Sequence, residues 1–164
     1  MDEVKACSFT GHRIIEPSHK ARIDDLVYRS IEYAYEKGCR AFYSGGAVGF
    51  DTVAARQVIK FRMAHRDVKL VMVIPCKNQS EKWTAEQKNM YNYCLGAADT
   101  VMYLSIDYTA DCMKRRNEKL VLLSDLIIAY VKRQDSGAAQ TVRMALKAGR
   151  TVYNLYPTLE KENK

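Results

Sequence analysis

A three-layer α/β sandwich around a mostly parallel sheet is the fold class that this sequence predicts, and three observations predict it. Short runs rich in β-branched residues alternate with segments of helical periodicity along the whole chain. One run, Val68 to Ile74, is apolar almost throughout, as in a parallel strand covered on both faces. No long linker, low-complexity stretch or internal repeat interrupts the alternation, so 164 residues make one domain joined by right-handed crossovers.

Val4 to Phe9 reads as a buried strand, followed by the polar turn Thr10 to Arg13 and a helical pattern from His19 to Lys37 that Gly38 closes. Arg40 to Tyr43 is a second strand. The glycine-rich turn Ser44 to Asp51 leads into a helix over Thr52 to Ala64, with Val53, Ala54, Val58, Ile59 and Met63 at helical spacing. Pro75 ends the strand that follows. Next come a loop from Cys76 to Thr84, a helix over Ala85 to Leu95, a strand over Thr100 to Leu104 and a helix over Lys114 to Leu123. Asp125 to Val131 is a buried strand, Ala138 to Ala148 a helix stopped by Gly149, and Thr151 to Leu155 a last strand. The layout is Rossmann-like, with a domain over 1–157 and a polar tail over 158–164.

Composition narrows the function. Apolar content of 48% and charged content of 27% suit a soluble globular domain, and no apolar stretch reaches membrane-spanning length. The N-terminal residues lack a signal peptide's pattern, so a cytoplasmic protein without a membrane partner is expected. Cys7, Cys39, Cys76, Cys94 and Cys112 are odd in number and contain no C-x-x-C pair, which reads as reduced thiols. His12, His19 and His65 form no metal-ligand pair, and no metal is expected. A net charge of +7 favours anionic partners, whether nucleotides, nucleic acid or acidic protein surfaces.

In such a sheet, ligands bind at loops leaving the carboxyl ends of the strands, near the point where strand order reverses. Four loops qualify: Thr10 to Arg13, Ser44 to Asp51, the segment ahead of Lys114 to Asn117, and Lys132 to Ala138. In the second, glycines permit positive φ and close backbone approach ahead of a helix N-terminus, which suits a phosphate. The alternative is a tight strand-to-helix connection in which Asp51 caps the helix.

These loops carry motifs that resemble those of the SLOG superfamily, the SMF/DprA and Lonely Guy-like proteins. Thr10-Gly11-His12-Arg13 is similar to its G-x-R element, and Ser44-Gly45-Gly46-Ala47-Val48-Gly49-Phe50-Asp51 with Ala54-Ala55 to its S-G-G-A-x-G-x-D-x-x-A element. Arg116-Asn117 resembles the R-N element of the YpsA-like branch, and Ser136-Gly137-Ala138 with Thr141 its later G-G-T-x-x-T element. The resemblance implies a modified Rossmann fold that binds a nucleotide-derived ligand, such as an NAD-related molecule or ADP-ribose, and requires no cofactor.

On that reading Gly45, Gly46 and Gly49 bring amides to a phosphate, with Ser44 opening their loop, while Gly11 permits close approach from the first loop. Arg13 and Arg116 clamp phosphate oxygens. Asp51 accepts from a ribose hydroxyl, Asn117 contacts base or sugar, and Ser136, Gly137 and Thr141 form a second phosphate contact or a plain cap. His12 is an acid or base, or else a hydrogen-bonded loop histidine. Trp83 stacks on a base or packs locally; Tyr28, Tyr35, Tyr91 and Tyr93 are assigned to the core or a dimer surface.

Three functions compete. The leading one is a cytosolic nucleotide-binding or nucleotide-sensing protein with a small-molecule ligand. The second is a Lonely Guy-type nucleotide hydrolase, for which Asp51 is the candidate catalytic acid. Those enzymes resemble P-G-G-x-G-T-x-x-E at the last loop, and here no carboxylate follows Thr141 until Glu160. The third is DprA-type single-stranded DNA binding, placed behind the others because no added nucleic-acid module accompanies the domain. Homo-oligomerisation is compatible with all three.

Overall fold

The computed structural model describes residues 5–161. Six parallel strands form one sheet: β1 (Lys5–Gly11), β2 (Cys39–Ser44), β3 (Lys69–Ile74), β4 (Thr100–Tyr103), β5 (Leu126–Tyr130) and β6 (Thr151–Asn154), in the order β4-β3-β2-β1-β5-β6. The expected sheet is thus present and wholly parallel. Six α-helices accompany it: α1 (Ile23–Glu36), α2 (Phe50–Arg62), α3 (Ala85–Ala97), α4 (Cys112–Leu123), α5 (Gly137–Lys147) and α6 (Tyr156–Lys161).

Period-two alternation along the strands divides the core in two. On β5, Leu126, Ile128 and Tyr130 belong to the larger cluster with α1, α2 and α3, whereas Ile127 and Ala129 join Val121, Ala139 and Ala145 from α4 and α5. Helix α1 buries Ile23, Val27, Ile31 and Ala34, a stripe at helical spacing that packs on α2 and β2. On the opposite face Ser8 Oγ donates to Leu120 O at 2.8 Å, which ties β1 to α4. All five cysteines are buried free thiols.

Several boundaries differ from the sequence expectation. Val4 lies outside the described residues, and β1 runs on to Gly11 because it pairs with β5 as far as Tyr130. The first helical stretch divides into a 3-10 turn at Pro17–His19 and α1, with a break at residues 20–22. Helix α4 starts two residues before Lys114, at Cys112, which moves Arg116 and Asn117 from its first turn into its second.

The expected polar tail instead continues as α6, with 162–164 outside the described residues. Tertiary contacts explain it. Leu159 is wholly buried in the larger core, and buried His19 is held between Tyr130 Oη (2.7 Å from Nδ1) and Glu160 Oε1 (2.8 Å from Nε2). Replacing Leu159 with Ala should lower stability by about 2–4 kcal/mol and release α6 first. Hydrogen exchange showing α6 amides as protected as before would refute that anchoring role.

Candidate functional site

The chain winds from β1 outward to β4 in one direction, then crosses back through α4 to β5 on the other side of β1. The carboxyl ends of β1 and β5 are therefore neighbours, with Gly11 in register with Tyr130, and the loops leaving them diverge. A cleft of about 260 Å³ opens there. Its wall is formed by Thr10 to Arg13, Ala47 and Asp51, Met113, Arg116, Asn117 and Leu120, and Arg133 with Ser136 to Ala138, over Phe9.

Arg116 lies at the floor, only 6% exposed although it carries a guanidinium. Helix α4 places it one turn in from Cys112, facing the glycine-rich loop. Nη1 donates to Gly45 O at 2.6 Å, Nε to Asn117 Oδ1 at 2.9 Å, and Nη2 to Met113 Sδ at 3.7 Å. All three of these partners are uncharged. Burial lowers the Arg116 pKa, an effect that Asp51's charge opposes and Arg13's reinforces.

The glycines of the loop fit this side chain and its neighbours. A Cβ on Gly45 would fall 2.7 Å from Arg116 Cζ, so the guanidinium occupies the space a side chain would need. Gly46 (φ +71°) and Gly49 (φ +85°) adopt the left-handed region, and Gly49 also packs on the Arg13 backbone. Gly11 leaves its space to Phe50, whose Cβ would lie 2.6 Å from an added Cβ. The Gly46 amide donates to Ser44 Oγ at 3.3 Å, so it is already engaged inside the loop rather than offered to a ligand. Ser44, Gly45, Gly46 and Gly49 stand behind the cleft wall instead of lining it.

Asp51 does not cap α2, contrary to the alternative drawn from the sequence. Gly49 is the N-cap, and Asp51 sits in the first turn, where Oδ2 accepts from the Ala47 amide at 3.2 Å. Its carboxyl is 6% exposed and faces the cleft. Burial pushes its pKa up, while Arg116, the Ala47 amide and Arg13 pull it down only in part.

His12 bridges two walls. Its backbone pairs with Tyr130 O and with the Phe50 amide, each at 3.1 Å, and its Nε2 accepts from the amides of Lys132 (2.8 Å) and Arg133 (3.2 Å). Two donors at Nε2 place the ring proton on Nδ1. Burial lowers the His12 pKa, and the Arg133 charge adds to this against weaker opposition from Asp135 and Glu16. The ring is therefore a neutral loop histidine rather than a base acting through Nε2.

The fourth loop is organised by capping. Ser136 is the N-cap of α5, donating to Arg133 O at 2.8 Å and accepting from the Ala139 amide at 3.1 Å. Thr141 is wholly buried and donates to Gly137 O, outside the cleft. Gly11, His12, Arg13, Asp51, Arg116, Asn117, Ser136 and Gly137 thus meet at one cleft, whereas Ser44, Gly45, Gly46, Gly49 and Thr141 support it from behind. Sequence reasoning did not select Arg133, Met113 or Ala47. The basic pair Lys132-Arg133 in a loop already marked was the available signal for the first.

The model of the YspA SLOG family matches residues 15–157. The chain belongs to that family. It is 26% identical over 156 residues to the SPbeta prophage-derived protein YoqJ of Bacillus subtilis, covering 87% of each chain. It is 27% identical over 154 residues to a UPF0398 protein of Halalkalibacterium halodurans, covering 88% of this chain and 82% of that one. Among solved structures it resembles DNA processing protein A (DprA) of Streptococcus pneumoniae, with a TM-score of 0.64 and 19% identity over 92% of this chain and 50% of that chain. Similarity to DprA of Helicobacter pylori, whose single-stranded DNA binding mode has been described, gives a TM-score of 0.63 and 20% identity over 90% of this chain and 63% of that chain. The chain thus spans half to two thirds of these DprA proteins, and at such identity the likeness is one of fold.

Two outcomes test the geometry. Gly45→Ala should destabilise by about 1–3 kcal/mol through overpacking, and should cost much less in an Arg116→Ala background. Equal costs in the two backgrounds would sever the link between this SLOG protein's glycine and its arginine. For His12, whose folded pKa lies below its ordinary value, the stabilising contribution is full above about pH 6.5 and fades as pH falls through the folded pKa. Thermal melts should show wild type about 1 kcal/mol or more above His12→Ala near neutrality, with the gap closing at lower pH; a constant gap would contradict this.

Proposed function

We propose that this SLOG protein binds a phosphate-bearing nucleotide of the NAD-derived or ADP-ribose kind in the cleft between the β1 and β5 loops, and that occupancy alters the surface offered to a partner. The observation carrying this reading is the buried Arg116 guanidinium, which among the described residues is held by neutral acceptors alone. A buried cation without a contacting counter-charge is costly, and an anion at the cleft floor supplies that charge.

Further features support the same ligand class. Arg13 and Arg133 add positive charge along the wall. Helix α5 brings its first turn, Gly137 and Ala138, to the cleft, where the helix dipole favours an anion. Asp51 is positioned to accept from a sugar hydroxyl rather than to meet a phosphate. At about 260 Å³ the cleft suits a compact ligand better than a continuous nucleic-acid strand.

A hydrolytic second reading rests on one observation: Asp51 is the sole carboxylate in the described cleft wall, and burial raises its pKa as a general acid requires. Turnover of a nucleoside monophosphate that is abolished in Asp51→Asn would support it; full retention would exclude Asp51.

Calorimetry against NAD, ADP-ribose, AMP and cyclic nucleotides tests the main reading. At least one should bind well below millimolar, and Arg133→Ala should weaken it about tenfold with little change in Tm. If nothing in the panel binds better than about millimolar, equivalent to about −4 kcal/mol, the proposal fails.

A further inference from the structure

A second chamber of about 500 Å³ adjoins the cleft, and Arg13 and Met113 belong to the walls of both. The loop between β3 and α3 lines it with residues including Gln79 and Trp83, and the segment before α4 lines it with Tyr108. The chambers also share a support. Gly45 O receives Arg116 Nη1 from the first and Gln79 Nε2, at 3.5 Å, from the second.

The two spaces differ in chemistry. The inner cleft gathers Arg116, Arg13, Arg133 and a helix N-terminus, the groups that hold an anion. The outer chamber presents two rings. Trp83 is fixed edge-to-face against Tyr91, with ring centroids 5.1 Å apart, while Tyr108 is 62% exposed. A held indole is a platform for stacking a planar heterocycle, and an exposed phenol beside the same chamber can add a second ring face. At about 260 Å³ the inner cleft falls below the usual size of a ligand pocket, about 300–1,000 Å³, whereas the two chambers together fall inside that range.

We infer that the outer chamber is the base subsite: the ligand spans both spaces, its phosphate at Arg116 and its nucleobase against Trp83 and Tyr108, with Arg13 at the junction. This inference deepens the nucleotide reading and rests on it. It assigns a specificity role to the loop between β3 and α3, outside the four loops that carry the sequence motifs.

Trp83 is the single tryptophan of the chain, so selective tryptophan excitation reports this chamber directly. ADP-ribose and ADP should quench its fluorescence, whereas inorganic pyrophosphate and ribose 5-phosphate should bind by calorimetry without quenching. Trp83→Ala should weaken ADP-ribose about tenfold and leave pyrophosphate affinity unchanged; Tyr108→Ala, at an exposed side chain, provides the same comparison should Trp83→Ala misfold. Two results overturn the base subsite while sparing the phosphate site: ADP-ribose binding with no quenching, or Trp83→Ala weakening pyrophosphate as much as ADP-ribose. Absence of binding by every compound, pyrophosphate included, overturns the phosphate reading and this inference together.

Discussion

A guanidinium buried at the carboxyl edge of the sheet organises this end of the molecule. Arg116 cannot be accommodated unless neighbouring backbone gives it both space and acceptors, and the glycine-rich loop supplies each: room at Gly45 and a carbonyl at 2.6 Å. That loop must then turn sharply, which Gly46 and Gly49 allow through positive φ. The turn in turn places Asp51 in the first turn of α2 and brings Phe50 into the gap beside Gly11. One desolvated cation thus links α4, the loop after β2 and the end of β1.

This changes what the glycine motif means. Read from sequence, three glycines before a helix signify amides waiting for a phosphate. In the fold the Gly46 amide is committed to Ser44 and the Ala47 amide to Asp51, and the missing side chains make room for protein atoms. The motif builds the wall that carries the charge. The cleft's positive charge comes instead from Arg116, from Arg13 and Arg133 on the wall and from the start of α5, none of them part of the motif.

What could be read from the sequence follows from where the determinants lie. Strands were legible because β5 is buried at every residue and β3 at all but Lys69 and the half-buried Val71, and α1 because its apolar stripe is regular. Helix α2 begins at Phe50 instead of Thr52 since Gly49, not a polar side chain, occupies its N-cap. Helix α6 was illegible because it is six residues long and held by Leu159 and the His19–Glu160 contact, partners more than a hundred residues apart in sequence. The site divides likewise. Arg13, Arg116 and Ser136 were marked by motif and position, whereas the exclusion of Thr141 and the support role of Gly45 depend on side-chain directions that spacing does not encode.

Charge balance at the cleft sets what its chemistry can be. Asp51 and Arg116 are each 6% exposed and act on one another's ionisation, yet Arg116 hydrogen-bonds neutral acceptors and Asp51 bonds an amide. Their attraction only partly offsets the cost of burying two charges, which is why burial dominates both pKa shifts. Negative charge brought to Arg116 stabilises the cation and makes ionisation of Asp51 harder still. The same anion therefore favours a protonated Asp51, a hydrogen-bond donor as well as an acceptor. The charge state of this cleft and the protonation of its sole described wall carboxylate are thus coupled, because the two side chains stand at the same end of a low-dielectric sheet.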